Sequence, residues 1–215
     1  MEHLTKLFKL VELTRSQPQT GYVLAGIKTD ELSNLAEHHY LVTFIAWQLA
    51  RAANRAGAKL SIEKVLEYAM VHDLGELLGG DISSFYAKAN RTAYRAAKAF
   101  EAENHKYLSK FFGTDAKHFR GLAKEIMDAK TDEALYAKAA DFVECTHYKL
   151  FVRGLVGRDL ALAREKLQSY GKKVKDPVAR GQLEKFLGSW IRELPTGSTL
   201  DDMLVQDKPV RKKQA

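Results

Sequence analysis

The sequence predicts an all-α fold. Three observations carry that expectation. Only four prolines occur in 215 residues, long stretches rich in Ala, Leu, Lys, Glu and Arg run without Gly or Pro, and apolar residues recur at helical spacing. With 46% hydrophobic and 28% charged residues, the chain has an ordinary globular composition and can bury a proper core. Its length fits one domain over residues 1–194 that ends in extra C-terminal helices, followed by a basic tail over 195–215.

The elements follow in order. Leu4, Leu7, Phe8 and Val11 predict an amphipathic helix over residues 2–14. Pro18, Gly21 and Gly26 then mark a loop from Gln17 to Asp30. Ser33 or Asn34 caps the next helix, which carries His38, Leu41, Val42, Ile45 and Leu49. After Gly57, the Ser61 to Glu63 segment starts a helix whose stripe of Ile62, Val65, Leu66, Ala69 and Met70 leads to His72 and Asp73 and ends at Gly79-Gly80. Asp81, Ser83 and Ser84 suit a new helix start, and helical spacing returns from about Thr92 to Phe112. Beyond Gly113 lies a shorter helix near Lys117 to Ala129. Thr131-Asp132-Glu133 opens another, reaching about Arg153 with Asp141 near its middle. Two last helices cover about Asp159 to Tyr170 and Pro177 to Arg192, the second with proline at its first position.

Several classes are disfavoured. Met1 to Leu13 is interrupted by Glu2, Lys6, Lys9 and Glu12, so it lacks the apolar run of a secretory signal. No segment approaches membrane-spanning length. A single cysteine, Cys145, permits no intrachain disulfide, and a cytoplasmic location is expected. The formal net charge of +7 favours anionic partners, but Lys208, Arg211, Lys212 and Lys213 in the tail supply part of it, so general solubility outweighs nucleic-acid binding.

His38, the adjacent pair His72 and Asp73, and Asp141 form the most informative constellation. Two imidazoles and two carboxylates make a mixed nitrogen and oxygen donor set suited to one divalent ion such as Mn, Co, Fe, Zn or Mg. A thiolate site is excluded because Cys145 stands alone. His72 and Asp73 are offset by about 100° on a helix, so they converge on one ion only near a helix end or distortion. His3, His105, His118 and His147 read as structural or surface histidines, as does His39, which faces away from its neighbour. Phe44, Trp47 and Tyr68 read as packing residues.

Around these four, the chain reads Asn34-Leu35-Ala36-Glu37-His38-His39, Val71-His72-Asp73-Leu74-Gly75-Glu76 running on to Gly80-Asp81-Ile82-Ser83, and Lys138-Ala139-Ala140-Asp141. This resembles the HD-domain metal-dependent phosphohydrolases. Glu76 and Asp81 after the His-Asp pair are similar to the YfbR-like 5'-deoxynucleotidase branch, whose members remove phosphate from nucleoside 5'-monophosphates. The resemblance covers roughly residues 15–150. It implies an HD-type helical bundle with His38, His72, Asp73 and Asp141 as metal ligands between core helices, and a homodimer. It also implies catalytic roles for Glu76 and Asp81.

Glu76 lies four residues after His72, which on a continuing helix places it on the same face as a water-orienting base. Asp81 approaches from beyond the double glycine, to act on the nucleophile or the leaving 5'-oxygen. Lys88, Arg91 and Arg95 are candidates for phosphate contact, although a solvated helix face explains them as well. Lys138 reads equally as a phosphate contact or a carboxylate partner.

The resemblance departs at the Arg-Trp pair with which YfbR-like enzymes hold the nucleotide. Here the region reads Thr14-Arg15-Ser16-Gln17-Pro18-Gln19-Thr20-Gly21-Tyr22, leaving Arg15 or Tyr22 as the substrate-binding candidates. The expected activity is hydrolysis of nucleoside 5'-monophosphates, deoxy forms included. An HD-type cyclic-nucleotide phosphodiesterase or a dNTP triphosphohydrolase is the enzymatic alternative. A non-catalytic nucleic-acid-binding module with a structural metal is the alternative from another class. Binuclear phosphodiesterases need extra histidines, and His105 and His118 lack an adjoining motif.

Overall fold

The structure is a computed structural model that describes residues 2–152 and 154–194. The basic tail expected over 195–215 lies outside the described residues. Among those described there is no strand beyond an isolated antiparallel bridge between Pro18 and Asn34, and the fold is all-α. The helices are α1 (Glu2–Val11), α2 (Leu35–Arg55), α3 (Ile62–Val71), α4 (Ser84–Ala89), α5 (Arg91–Leu108), α6 (Ala116–Asp128), α7 (Asp132–Phe151), α8 (Gly157–Lys173) and α9 (Pro177–Glu193). No helix among them is long and apolar enough to cross a membrane.

Short polar side chains set the helix starts, because the first backbone N–H groups of a helix have no partner within it. Asn34 accepts from Glu37 N, Ser61 from Lys64 N, Asn90 from Ala93 N and Thr131 from Ala134 N. Asp176 caps α9 through Val178 N and Ala179 N, with Pro177 inside the first turn. The loop expected over residues 17–30 contains 3-10 turns at Thr20–Ala25 and Thr29–Glu31. α3 stops at Val71, well before Gly79-Gly80, and a separate 3-10 turn covers Leu74–Glu76.

Alanine lets the central helices approach closely. Val42, Ala46 and Ala50 of α2, Val65 and Ala69 of α3, and Leu135, Ala139 and Ala140 of α7 are all fully buried in one cluster. The same cluster takes in Ala163 and Leu167 of α8 and Leu183, Leu187 and Trp190 of α9, so the C-terminal helices share this core. Tyr136 O–H donates to Ala179 O at 2.7 Å, and Trp190 Nε1–H to His147 Nε2 at 2.6 Å, tying α7 to α9. A second cluster joins Leu35, Tyr68 and Val71 to Leu108, Phe119 and Ile126, which seats α5 and α6 against the far end of α3. Tyr68 is a packing residue, as expected. Phe44 instead stands half exposed, edge-on to Trp47.

Since α2, α3 and α7 meet through small side chains, whatever their facing polar residues do is fixed by core packing. Leu167→Ala should lower the unfolding free energy by about 2–5 kcal/mol, because the hole it leaves is closed on all sides. Phe151→Ala, at a side chain 79% exposed, should change it by less than about 0.5 kcal/mol. Chemical denaturation monitored by circular dichroism measures both.

Candidate metal centre

Three helices deliver four polar side chains to one point. His38 sits in the opening turns of α2, where its N–H donates to the cap residue Asn34 O at 3.1 Å. Asp141 lies at the middle of α7. His72 keeps helical dihedrals just past α3, at φ −56° and ψ −35°, but Asp73 leaves the helix at φ −116° and ψ 14°. That break lets neighbouring residues aim at the same place, with His72 Nε2 and Asp73 Oδ2 3.2 Å apart.

His38 Nε2 and His72 Nε2 face each other at 3.0 Å. Asp73 Oδ2 is 3.4 Å from His38 Nε2, and Asp141 Oδ1 is 3.6 Å and 3.8 Å from the two ring nitrogens. All four donor atoms lie within 4.8 Å of one another. Such separations are those of ligands around an ion bound at about 2.0–2.2 Å.

The other ring nitrogens fix the tautomers. His72 Nδ1 is 2.8 Å from the carbonyl of Ala69, which can only accept, so Nδ1 carries the proton and Nε2 a lone pair. His38 Nδ1 is 2.5 Å from the buried Glu144 carboxylate and is held in the same sense. Two lone pairs aimed at each other across 3.0 Å repel unless a cation lies between them. The residues therefore fit a divalent ion by their own hydrogen bonding.

The titration behaviour shows the same demand for positive charge. Burial lowers the His38 imidazole, but the hydrogen bonds it donates to Asp73 and Glu144 outweigh that and push His38 up to about 10. Burial would raise Asp73, yet His72 and His38 hold it well below the usual carboxylate range. Lys138 Nζ, 3.4 Å from Asp141 Oδ2, is kept protonated by Asp141 and Asp73 in spite of its burial. His39 is driven down to about 3 by burial and by His72, and stays neutral beside the cluster. A second grouping of His38, Glu144 and Cys145 is close enough to be considered. Burial, with Asp141 and Glu144 nearby, raises the Cys145 thiol well above its ordinary value, so it does not offer a thiolate.

Asp73 and Asp141 open onto a cavity of about 250 Å³ that Glu76, Asp81, Tyr22 and Lys138 also line. Glu76 reaches it by a route other than the one the spacing suggested. The helix has ended before Glu76, which belongs to the Leu74–Glu76 3-10 turn, so the shared-face argument with His72 fails. Burial raises its carboxyl well above the ordinary range, helped by Asp73, Asp81 and Glu101. Asp81 Oδ1 accepts from Thr20 O–H at 2.9 Å and Gly21 N–H at 2.7 Å, and burial raises this carboxyl too. A Cβ on Gly21 would overlap Asp81 Oδ2, so glycine is what lets the loop close on the carboxylate.

That loop settles where the substrate-binding candidates stand. Tyr22 is buried on the cavity wall, and its hydroxyl has no hydrogen-bond partner. Arg15 is exposed, pairs with Glu12 at 2.7 Å, and is not among the residues that line the cavity. His105 is buried against Gly75 and His118 pairs with Glu67 at the surface; neither joins the cluster. Lys88 and Arg91 line a larger adjoining cavity of about 640 Å³, which shares Glu76, Asp81, Ile82, Ser84 and Lys98 with the first. Arg95 lines neither.

Sequence reasoning passed over Glu144 and the pair Lys149 and Asp159. Glu144 follows Asp141 by three residues in the otherwise apolar run Ala139-Ala140-Asp141-Phe142-Val143-Glu144. An ionisable residue there must be buried with a partner, and that was the available signal. Lys149 and Asp159 gave no such signal, because their pairing at 2.7 Å depends on how α8 packs on α7.

The HD-domain family model matches residues 11–176. The 5'-deoxynucleotidase HDDC2 of Dictyostelium discoideum is 28% identical over 146 residues, spanning 67% of this chain and 74% of that protein. A 5'-deoxynucleotidase of Vibrio vulnificus is 28% identical over 160 residues, spanning 73% and 79% respectively. Among solved structures, the PH0347 protein of Pyrococcus horikoshii OT3 superposes with a TM-score of 0.65 at 23% identity, covering 87% of this chain and 98% of that one, which is likeness of fold.

Glu144→Gln should weaken divalent-ion affinity by about 10- to 100-fold, because an amide holds the His38 ring less firmly and makes its Nε2 less basic. Titration calorimetry with Mn or Co would measure the loss, and unchanged affinity would refute the orienting role.

Proposed function

The chain belongs to the HD-domain family, and on that footing we propose that it is a metal-dependent phosphomonoesterase acting on nucleoside 5'-monophosphates, deoxy forms included. The observation that carries the reading is the convergence of His38, His72, Asp73 and Asp141 at the wall of a cavity that also holds Glu76, Asp81 and Lys138. The names of the relatives supply the substrate class.

One divalent ion held by the four side chains would neutralise charge on a phosphoryl oxygen and make water more acidic beside it. The protein's own groups account for the rest. Glu76, more basic than an ordinary carboxylate because it is buried near other carboxylates, accepts a proton from the attacking water. Lys138, anchored to Asp141, offers its remaining N–H groups to the phosphate. Asp81 has one oxygen held by Thr20 and Gly21, which points its carboxyl at the cavity, where it hands a proton to the departing 5'-oxygen. Closure of the Thr20–Ala25 turn through Asp81 thus couples the substrate-side wall to the acid.

A metal-free preparation should release no phosphate, and reloading with Mn, Co, Mg or Zn should restore release from nucleoside 5'-monophosphates. Tripolyphosphate from dNTPs, or ring opening of cyclic nucleotides in preference to monophosphate cleavage, would replace this reading with one of its enzymatic alternatives. Metal-independent, salt-sensitive binding of single-stranded DNA with no turnover would favour the non-catalytic one. Glu76→Ala should keep fold and metal content while kcat falls about 10²- to 10⁴-fold, and an active variant would remove Glu76 from the mechanism.

A further inference from the structure

The candidate ligands Asp73 and Asp141 line the cavity, and α7 runs along its wall. Lys138, Asp141, Cys145 and Lys149 recur at spacings of three and four residues, which aligns them on one helical face, and all four line the cavity. Eight residues separate Asp141 from Lys149, about 12 Å at about 1.5 Å per residue. That span is comparable to the distance from the phosphate to the outer edge of the base in an extended nucleotide.

The surroundings of Lys149 are built. Its side chain is only 13% exposed, and Nζ donates to Asp159 Oδ1 at 2.7 Å. Nζ also lies 5.9 Å from the Tyr22 ring centroid and 5.6 Å from that of Phe85. Asp159, 6% exposed, uses its other oxygen to accept Val156 N–H at 3.1 Å. Each Asp159 oxygen already accepts one hydrogen bond from the protein, and the ammonium keeps N–H groups beyond the one it gives to Asp159. This end of the cavity presents aromatic walls, Tyr22 and Phe85, and the Lys149 ammonium, which can only donate, beside the Asp159 carboxylate.

The geometry points to Lys149 as the residue that reads the base, donating to an exocyclic keto oxygen of a nucleotide whose phosphate is at the metal end. This rests on the phosphomonoesterase reading and adds to it a preference for keto bases, guanine, hypoxanthine, thymine and uracil. The exocyclic amino group of adenine or cytosine would set donor against donor at the same position. Lys138 serves the phosphate, so the two cations on one face of α7 divide the substrate between them.

The test compares dIMP with dAMP, and dUMP with dCMP, on the metal-loaded protein, since the members of each pair differ in the keto or amino edge. The keto member should have a kcat/KM about tenfold higher, with the difference in KM. Lys149→Met alone leaves Asp159 buried without its cation, so the working variant is Lys149→Met with Asp159→Asn, which preserves an acceptor for Val156. It should lose the preference while hydrolysing p-nitrophenyl phosphate, which has no base, as the wild type does. Equal kcat/KM across the wild-type pairs, retention of the preference in the double variant, or a parallel loss with p-nitrophenyl phosphate would each overturn the assignment. Calorimetry with deoxyinosine and deoxyadenosine gives a readout independent of turnover: tighter deoxyinosine binding supports the contact and equal binding refutes it. A protein that releases phosphate from no substrate would sink the phosphomonoesterase reading, and the nucleoside measurement would still decide the base contact.

Discussion

Two imidazole nitrogens held 3.0 Å apart, which as neutral rings would set lone pair against lone pair, are the constraint around which this molecule is arranged. Neither ring can relieve the repulsion by turning, because the Ala69 carbonyl fixes one and the Glu144 carboxylate fixes the other. Positive charge between them is the remaining solution. The same need pushes the His38 imidazole up to about 10 and holds the Asp73 and Asp141 carboxyls below their ordinary range against the cost of burial. A divalent ion meets the same electrostatic need with better geometry.

The apolar core keeps this arrangement in place. Close alanine packing among α2, α3 and α7 brings three helix backbones near enough for short carboxylates to reach the histidines, and larger residues there would hold the helices apart. The second cluster, under α5 and α6, supports the Leu74–Glu76 turn through Leu74 and Leu77. Asn104 adds a donor to Gly75 O at 2.7 Å from the α5 side. Glu76 therefore stands on a backbone held from two directions, which restricts the orientation of this candidate base.

Polarity also runs along the cavity. Its metal end combines carboxylates with the protonated Lys138, while its far end has two aromatic rings and the Lys149 and Asp159 pair. The N-terminal loop closes one wall. Backbone hydrogen bonds between Gln17 and Leu35 and between Gln19 and Ser33 zip it to the start of α2, and Asp81 fastens it from the opposite side. A loop bound to both the first metal-site helix and a candidate proton donor positions Tyr22 with little freedom.

The helical class, the capping residues Asn34, Ser61 and Thr131, and the four metal-site residues were all legible in the sequence. These follow from local rules, since apolar periodicity, N-terminal caps and a His-Asp dipeptide are properties of neighbouring residues. Glu76 lines the cavity, but by a geometry other than the helical spacing implied. The chain leaves α3 at Asp73, and local spacing does not report a change of backbone direction. Arg15 shows the converse, a residue of suitable chemistry that the loop turns outward to Glu12. Glu144, Lys149 and Asp159 depended on the tertiary structure, because their roles come from partners 106 and 10 residues away in sequence. The sequence by itself determined which side chains were available and which helices would carry them. Packing decided which of them share one buried, charged space, since the energy of a buried ionisable group depends on the neighbours that folding gives it.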